Sequence, residues 1–166
     1  MSDVTVTDRF VFFWGGWPSQ WHPSPFVIDG TSYRCAEQYM MAEKARLFGD
    51  TEVLRKILKA ASPRAQKALG RQVRGFDAAR WTAACRDAVY RGNLAKFTQS
   101  EELRALLLDT GERTLVEASP TDRIWGIGLH ADDPRAQDPS AWRGTNWLGE
   151  ALMRVRATLR SGPAVG

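Results

Sequence analysis

The sequence predicts an α+β domain that is predominantly helical, with a few short strands. Three observations carry this expectation. Apolar residues recur at helical spacing in successive windows from Arg34 to Gly111 and again from Asn146, several opened by a capping residue or closed by glycine. The β-prone runs are short and bounded by Gly, Asp or Pro. Internal repeats and low-complexity segments are absent, and 166 residues suffice for one domain with a real core. A single domain over 1–166, with its core at about 10–160, is expected.

Each element has a local reason. "FVFFWGG" (Phe10 to Gly16) reads as a short buried strand ending in a glycine turn. "WPSQWHPSPF" is a proline-broken loop. In "FVIDGTSYR", Asp29-Gly30 is a favoured two-residue turn between two β-prone triplets, which predicts a hairpin. A first helix is expected within Arg34 to Asp50 and a second over Thr51 to Ala60. "SPRAQKALGR" has Ser62 as cap and Pro63 at its first position. Asp77 opens a longer helix reaching about Phe97, and "SEELRALLLDTG" adds a fifth, stopped by Gly111. "RTLVEAS" is a short strand. "TDRIWGIGLHADDPRAQDPSAWRG" is a long Gly/Pro/Asp-rich connection, and connections of that length tend to be functional. The last helix starts near Asn146 and carries Leu148, Leu152, Val155 and Leu159 on one face.

The first helix, "RCAEQYMMAEKARLFGD", is chemically odd. At about 100° per residue its apolar arc consists of Ala36, Met40, Met41, Ala45, Leu47 and Phe48, with Gln38, Glu43 and Arg46 on the other side. Glu37 and Lys44 fall within the apolar arc. They are seven residues apart, so roughly 10 Å separates their attachment points, too far for a simple surface pair. A buried charge requires a partner or a shifted pKa. The pattern leaves two readings open: snorkelling or an ion pair with another helix, and the wall of a ligand pocket.

Other residues have equally plain alternatives. On the long helix, Trp81, Ala84, Cys85, Ala88, Gly92 and Ala95 form a stripe of small residues headed by one ring, which suits core packing and also a flat ligand. Asp122 reads as a cap or an acid, Trp125 as a half-buried anchor or a stacking ring, and Asn146 as the N-cap of the last helix.

Several functional classes are disfavoured. No run of 18 apolar residues exists, and "MSDVTVTDRF" lacks a secretory pattern, so a soluble, cytoplasmic protein without membrane contact is expected. Cys35 and Cys85 stand fifty residues apart without CxxC, as buried reduced thiols would. The net charge of +4 comes from scattered arginines rather than a basic run, which argues against a dedicated nucleic-acid-binding domain. "GIGLHA" is followed by "DDPRAQDP", which cannot open a dinucleotide-binding helix. With two histidines and no HExxH, no metal is expected. Carboxylates, a lysine and many tryptophans remain. Those groups suit cleavage at a sugar carbon, where a carboxylate steadies an oxocarbenium ion and activates water while aromatics hold a planar base.

Five ordered blocks then carry a resemblance: "FFWGG…SQWHPSPFVIDGTSYRCAEQYMMAEKARLFGD", "LGRQVRGFD…W", "GNLAKF", "TLVEASPTDRIWGIG" and "GTNWLGEALMRVR". From about Phe12 to Leu159 the chain resembles the NADAR superfamily, the YbiA-like proteins. The resemblance implies a mostly helical α+β fold and hydrolysis of an N-glycosidic bond to ribose without a cofactor. Members similar to this chain act on phosphoribosylated intermediates of riboflavin synthesis; others remove ADP-ribose from guanine in nucleic acid. The implied partner is therefore a phosphoribosyl or ADP-ribosyl small molecule, with ADP-ribosylated nucleic acid as the alternative.

By the same resemblance the functional glutamate falls at Glu37, the lysine of its helix at Lys44, the ring-stacking tryptophan at Trp81, and the loop acid and tryptophan at Asp122 and Trp125. Gly126 and Asn146 are further substrate-binding candidates. Glu37 and Asp122 are the two catalytic candidates. One departure concerns substrate identity: many members read Ser-Asn-Phe where this chain has Ser24-Pro25-Phe26. A non-catalytic module that binds NAD or ADP-ribose would need the aromatics and Lys44, but no carboxylate beside the anomeric carbon.

Overall fold

The computed structural model describes residues 3–162. Its elements run β1 (Val4–Val6), β2 (Phe10–Phe13), β3 (Phe26–Ile28), β4 (Thr31–Tyr33), α1 (Ala36–Leu47), α2 (Thr51–Lys59), α3 (Pro63–Gly70), α4 (Ala78–Thr98), α5 (Glu101–Asp109), β5 (Thr114–Glu117) and α6 (Trp147–Arg160). Helices dominate and the strands are three or four residues long, as the sequence predicts. The chain divides into two units, one of Gln20–Ser100 and one of Met1–Ser19 with Glu101–Gly166.

In the Gln20–Ser100 unit, β3 and β4 form the expected antiparallel hairpin. Asp29 and Gly30 both have positive φ (49° and 77°), the conformation that a two-residue turn of this type requires. α1 is covered by α2, α3 and α4. The predicted caps hold: Ser62 accepts from the Ala65 N–H and Asp77 from the Arg80 N–H. The expectation that Gln38 faces away from the apolar arc does not hold. Gln38 is fully buried; its Oε1 accepts from the Arg34 N–H at 2.7 Å and its Nε2 donates to the Ile57 carbonyl at 3.0 Å. The side chain thus ties the start of α1 to the carbonyl end of α2. Tyr39 and Ala42 are buried too, so the first two turns of α1 are enclosed on nearly every side and one apolar arc is too narrow a description.

The small-residue stripe of α4 is packing in its middle. A Cβ at Gly92 would lie 2.7 Å from Tyr39 Cδ1, so the glycine makes room for that α1 ring. Cys35 and Cys85 are buried free thiols, as expected.

In the other unit, β2 is the centre of a three-stranded sheet, antiparallel to β1 and parallel to β5, with Phe12 opposite Val116. All four β2 residues are buried. β1 was not anticipated: it is a three-residue edge strand whose Val6 is 59% exposed, and it is ordered by the free edge of β2 rather than by its own pattern. Leu148, Leu152, Val155 and Leu159 of α6 are buried, as their spacing predicts. The long connection contains two 3₁₀ turns, Pro134–Gln137 and Pro139–Ala141, capped by Asp133 and Asp138.

Candidate active site

Glu37 is the second residue of α1 and only 7% exposed. Its N–H donates to the Gln20 carbonyl at 3.0 Å, which anchors the helix start to the proline-rich segment. A carboxylate in the first turn gains from the partial positive charge of the helix N-terminus.

Lys44 lies two turns on and is half-buried, its Nζ 4.7 Å from the centre of the Phe76 ring. Burial lowers the pKa of its ammonium, the nearby Arg71 charge lowers it further, and Glu37 opposes both. Glu37 and Lys44 therefore sense each other as charges along the covered side of α1. Trp81 sits half-buried in the first turn of α4. Its neighbour Arg80 packs over the Phe48 ring at 5.3 Å and donates to the Leu47 carbonyl, so this turn adjoins the end of α1.

A polar cluster that the sequence reading missed lies beside Glu37. Gln20 Oε1 accepts from Asn93 Nδ2 at 2.7 Å, and Gln20 Nε2 points to Met40 Sδ at 3.8 Å. Asn93 is fully buried, and one turn later in α4 Lys96 is 1% exposed. Burial pushes the Lys96 amine down to about 7, with the Cys35 thiol partly offsetting this. The available signal was "GNLAKF": Asn93 and Lys96, three apart, interrupt the small-residue side of α4.

The Lys96 shift has a pH consequence. An unfolded lysine titrates near 10.5, so between about 7 and 10.5 the unfolded chain holds a proton that the folded amine lacks. The contribution of Lys96 to stability thus rises with pH across that window and is flat below it. Lys96→Met removes this dependence. Urea unfolding at pH 7 and at pH 9.5 is expected to show the variant gaining stability relative to wild type most at pH 7; an unchanged difference would show that Lys96 keeps its ordinary pKa.

Asp122, Trp125, Gly126 and Asn146 share the connection between β5 and α6. Ser119 Oγ accepts from the Asp122 N–H at 3.1 Å, and Asp122 Oδ1 accepts from the Ile124 and Trp125 N–H groups at 2.9 and 2.8 Å. Asp122 thus caps a turn rather than a helix. Trp125 is half-buried against Trp147, ring centres 5.8 Å apart. Gly126 is needed for close approach, since a Cβ there would lie 2.9 Å from the Glu117 carbonyl.

Asn146 occupies the N-cap position of α6, but its side chain does not cap. The first α6 N–H groups donate to loop carbonyls instead, Asn146 to Gly126, Trp147 to Ile124 and Leu148 to Trp125. This frees the amide to bind β5: Oδ1 accepts from the Glu117 N–H at 3.0 Å and Nδ2 donates to the Leu115 carbonyl at 2.9 Å. Through these two bonds the Asn146 amide positions the loop against β5. The N-cap position is as expected, but side-chain capping is displaced by the Gly126, Ile124 and Trp125 carbonyls, which lie 20 to 23 residues upstream.

Among the described residues, no group of three or more His, Cys, Asp or Glu side chains could hold a metal, and no helix is long and apolar enough to cross a membrane. A cavity of about 150 Å³ lined by Trp14, Ala118, His130 and Asp132, among others, includes none of the predicted site residues.

Residues 12–160 match the NADAR domain family. The chain belongs to the NADAR family. An N-glycosidase of Acanthamoeba polyphaga mimivirus is 43% identical over 163 residues, covering 90% of this chain and 96% of that protein. The N-glycosidase YbiA of Escherichia coli K12 is 32% identical over 135 residues, covering 81% and 76%. The solved structure of E. coli YbiA superposes with a TM-score of 0.77 at 28% identity, over 96% of this chain and 89% of that one. The NADAR match spans both units of the chain. It also includes every candidate residue above, Gln20, Asn93 and Lys96 among them.

Proposed function

We propose that this protein hydrolyses the C1′–N bond of a phosphoribosylated pyrimidine intermediate of riboflavin synthesis. Cleavage of an N-glycosidic bond is supported by relatives that are named N-glycosidases. The observation that carries the reading is the enclosed Glu37 on the side of α1 that also bears Lys44.

In the proposed reaction, the C1′–N bond lengthens and positive charge develops on the ribose ring, which the Glu37 carboxylate steadies. Water adds its oxygen to C1′ and gives one proton to the carboxylate, which passes it to the departing nitrogen and returns to its charged form. The products are the free amine base and ribose 5-phosphate. Lys44 holds the phosphate as a point charge, and Trp81 offers a ring face to the base. Asp122 is the competing carboxylate. One of its oxygens accepts from the Ile124 and Trp125 N–H groups.

The deciding experiment incubates purified protein with phosphoribosylamino-pyrimidines, NAD, ADP-ribose and ADP-ribosylated guanosine, and follows base release by chromatography. Free base with ribose 5-phosphate from the first group is expected. Release of ADP-ribose from guanosine instead would move the substrate to modified nucleic acid, and binding without release from any of them would make the protein a ligand-binding module.

A further inference from the structure

The segment from Gly70 to Phe76 wraps the end of α1, and its two arginines are treated differently. Arg74 is neutralised: its backbone N–H and guanidinium bind Asp50 at 2.8–3.1 Å, and Glu52 lies 3.3 Å away. Arg71, three residues earlier, makes no side-chain hydrogen bond or ion pair among the described residues. Nor does the Lys44 ammonium, whose close neighbour is the Phe76 ring.

Packing holds these two cations near each other. A Cβ at Gly70 would run into Met41 Sδ, so the end of α3 is pressed against α1 where Lys44 follows one turn later. The Arg71 charge acts directly on Lys44 as a result. Phe76 is 49% exposed and packs edge-on against Phe48 at 5.4 Å, leaving an apolar surface beside the two charges. Glu37 offsets the effect of Arg71 on Lys44 only in part, so an anion that joins the two cations is favoured.

From this geometry we infer that Arg71 and Lys44 form a two-cation anchor for the phosphate monoester of the substrate, with Arg71 as the residue that distinguishes phosphorylated from unphosphorylated ligands. The inference rests on the reading of Lys44 as a phosphate-holding group and adds a second, fork-shaped donor to it.

The test measures calorimetric binding of ribose 5-phosphate, ADP-ribose and unphosphorylated ribose to wild type, Arg71→Gln, Arg71→Lys and Lys56→Gln. Lys56 is an exposed α2 lysine paired with Glu52, and it controls for net charge. Arg71→Gln is expected to weaken ribose 5-phosphate about tenfold, the scale of one charge-assisted hydrogen bond, and to leave ribose unchanged. Arg71→Lys should recover part of the loss, and Lys56→Gln should match wild type. Equal ribose 5-phosphate affinity in Arg71→Gln and wild type, an equal loss in Lys56→Gln, or no binding by wild type would overturn the anchor. A loss confined to ADP-ribose would overturn the monoester assignment. Binding does not require turnover, so a protein that loses ribose 5-phosphate with Arg71 yet cleaves no N-glycoside would sink the proposed reaction and leave this anchor standing.

Discussion

Glu37→Gln is expected to give a folded protein that still binds its substrate and turns it over about 10² to 10⁴ times more slowly, the usual loss for one positioned acid or base. The amide keeps the shape of the side chain and removes its charge. A carboxylate that steadies an oxocarbenium ion contributes mainly in the transition state, so the loss belongs in kcat rather than in substrate affinity. Glu37 is enclosed at the start of α1, and its backbone N–H donates to the Gln20 carbonyl whichever side chain it carries. Removing an enclosed charge can leave a fold equally or more stable. Steady-state kinetics and a melting curve check both parts. Retained turnover would transfer the catalytic role to Asp122, to be tested by Asp122→Asn, while an unfolded variant would mean that Glu37 serves structure.

Gly149→Ala is expected to destabilise the protein by about 3 to 5 kcal/mol, although the same change on an exposed helix would stabilise it by about 1 kcal/mol. Gly149 lies in the first turn of α6, and a Cβ there would overlap the Leu115 carbonyl and the Asn146 amide. Those groups join α6 to β5, since Asn146 bonds the backbone at both Leu115 and Glu117. The methyl group would therefore overpack a buried contact and break two hydrogen bonds at once. Urea unfolding measures the loss. A variant within about 0.5 kcal/mol of wild type would show that α6 does not approach β5 as closely as the structure has it.

These two residues differ in how readable they were. Glu37 stood out because an acid within an apolar helical arc breaks a period of 3.6, and a period is a property of one segment. The Asp29-Gly30 turn, the Ser62 and Asp77 caps and the buried face of α6 were legible for the same reason: each depends on residues within a few positions of one another. Gly149 carried no such mark. Its requirement comes from the Leu115 carbonyl, a group 34 residues away in the chain.

The order and type of the helices, the hairpin, the buried strand at Phe10 and the family were legible from local sequence, because caps, turns, periodicity and ordered motifs are written in neighbouring residues. Beyond Glu37, packing between distant segments settled which polar residues are enclosed. α1 is covered by α2, α3 and α4, which buries Gln38 and Tyr39 along with the apolar arc. Asn93 and Lys96 are polar letters on a helix until packing encloses them, and then desolvation alters the lysine's acidity. The edge strand β1 exists through its partner, and Asn146 binds β5 because loop carbonyls take the helix N–H groups first. Burial and hydrogen-bond competition are settled between segments far apart in the chain, so no window of sequence contains them.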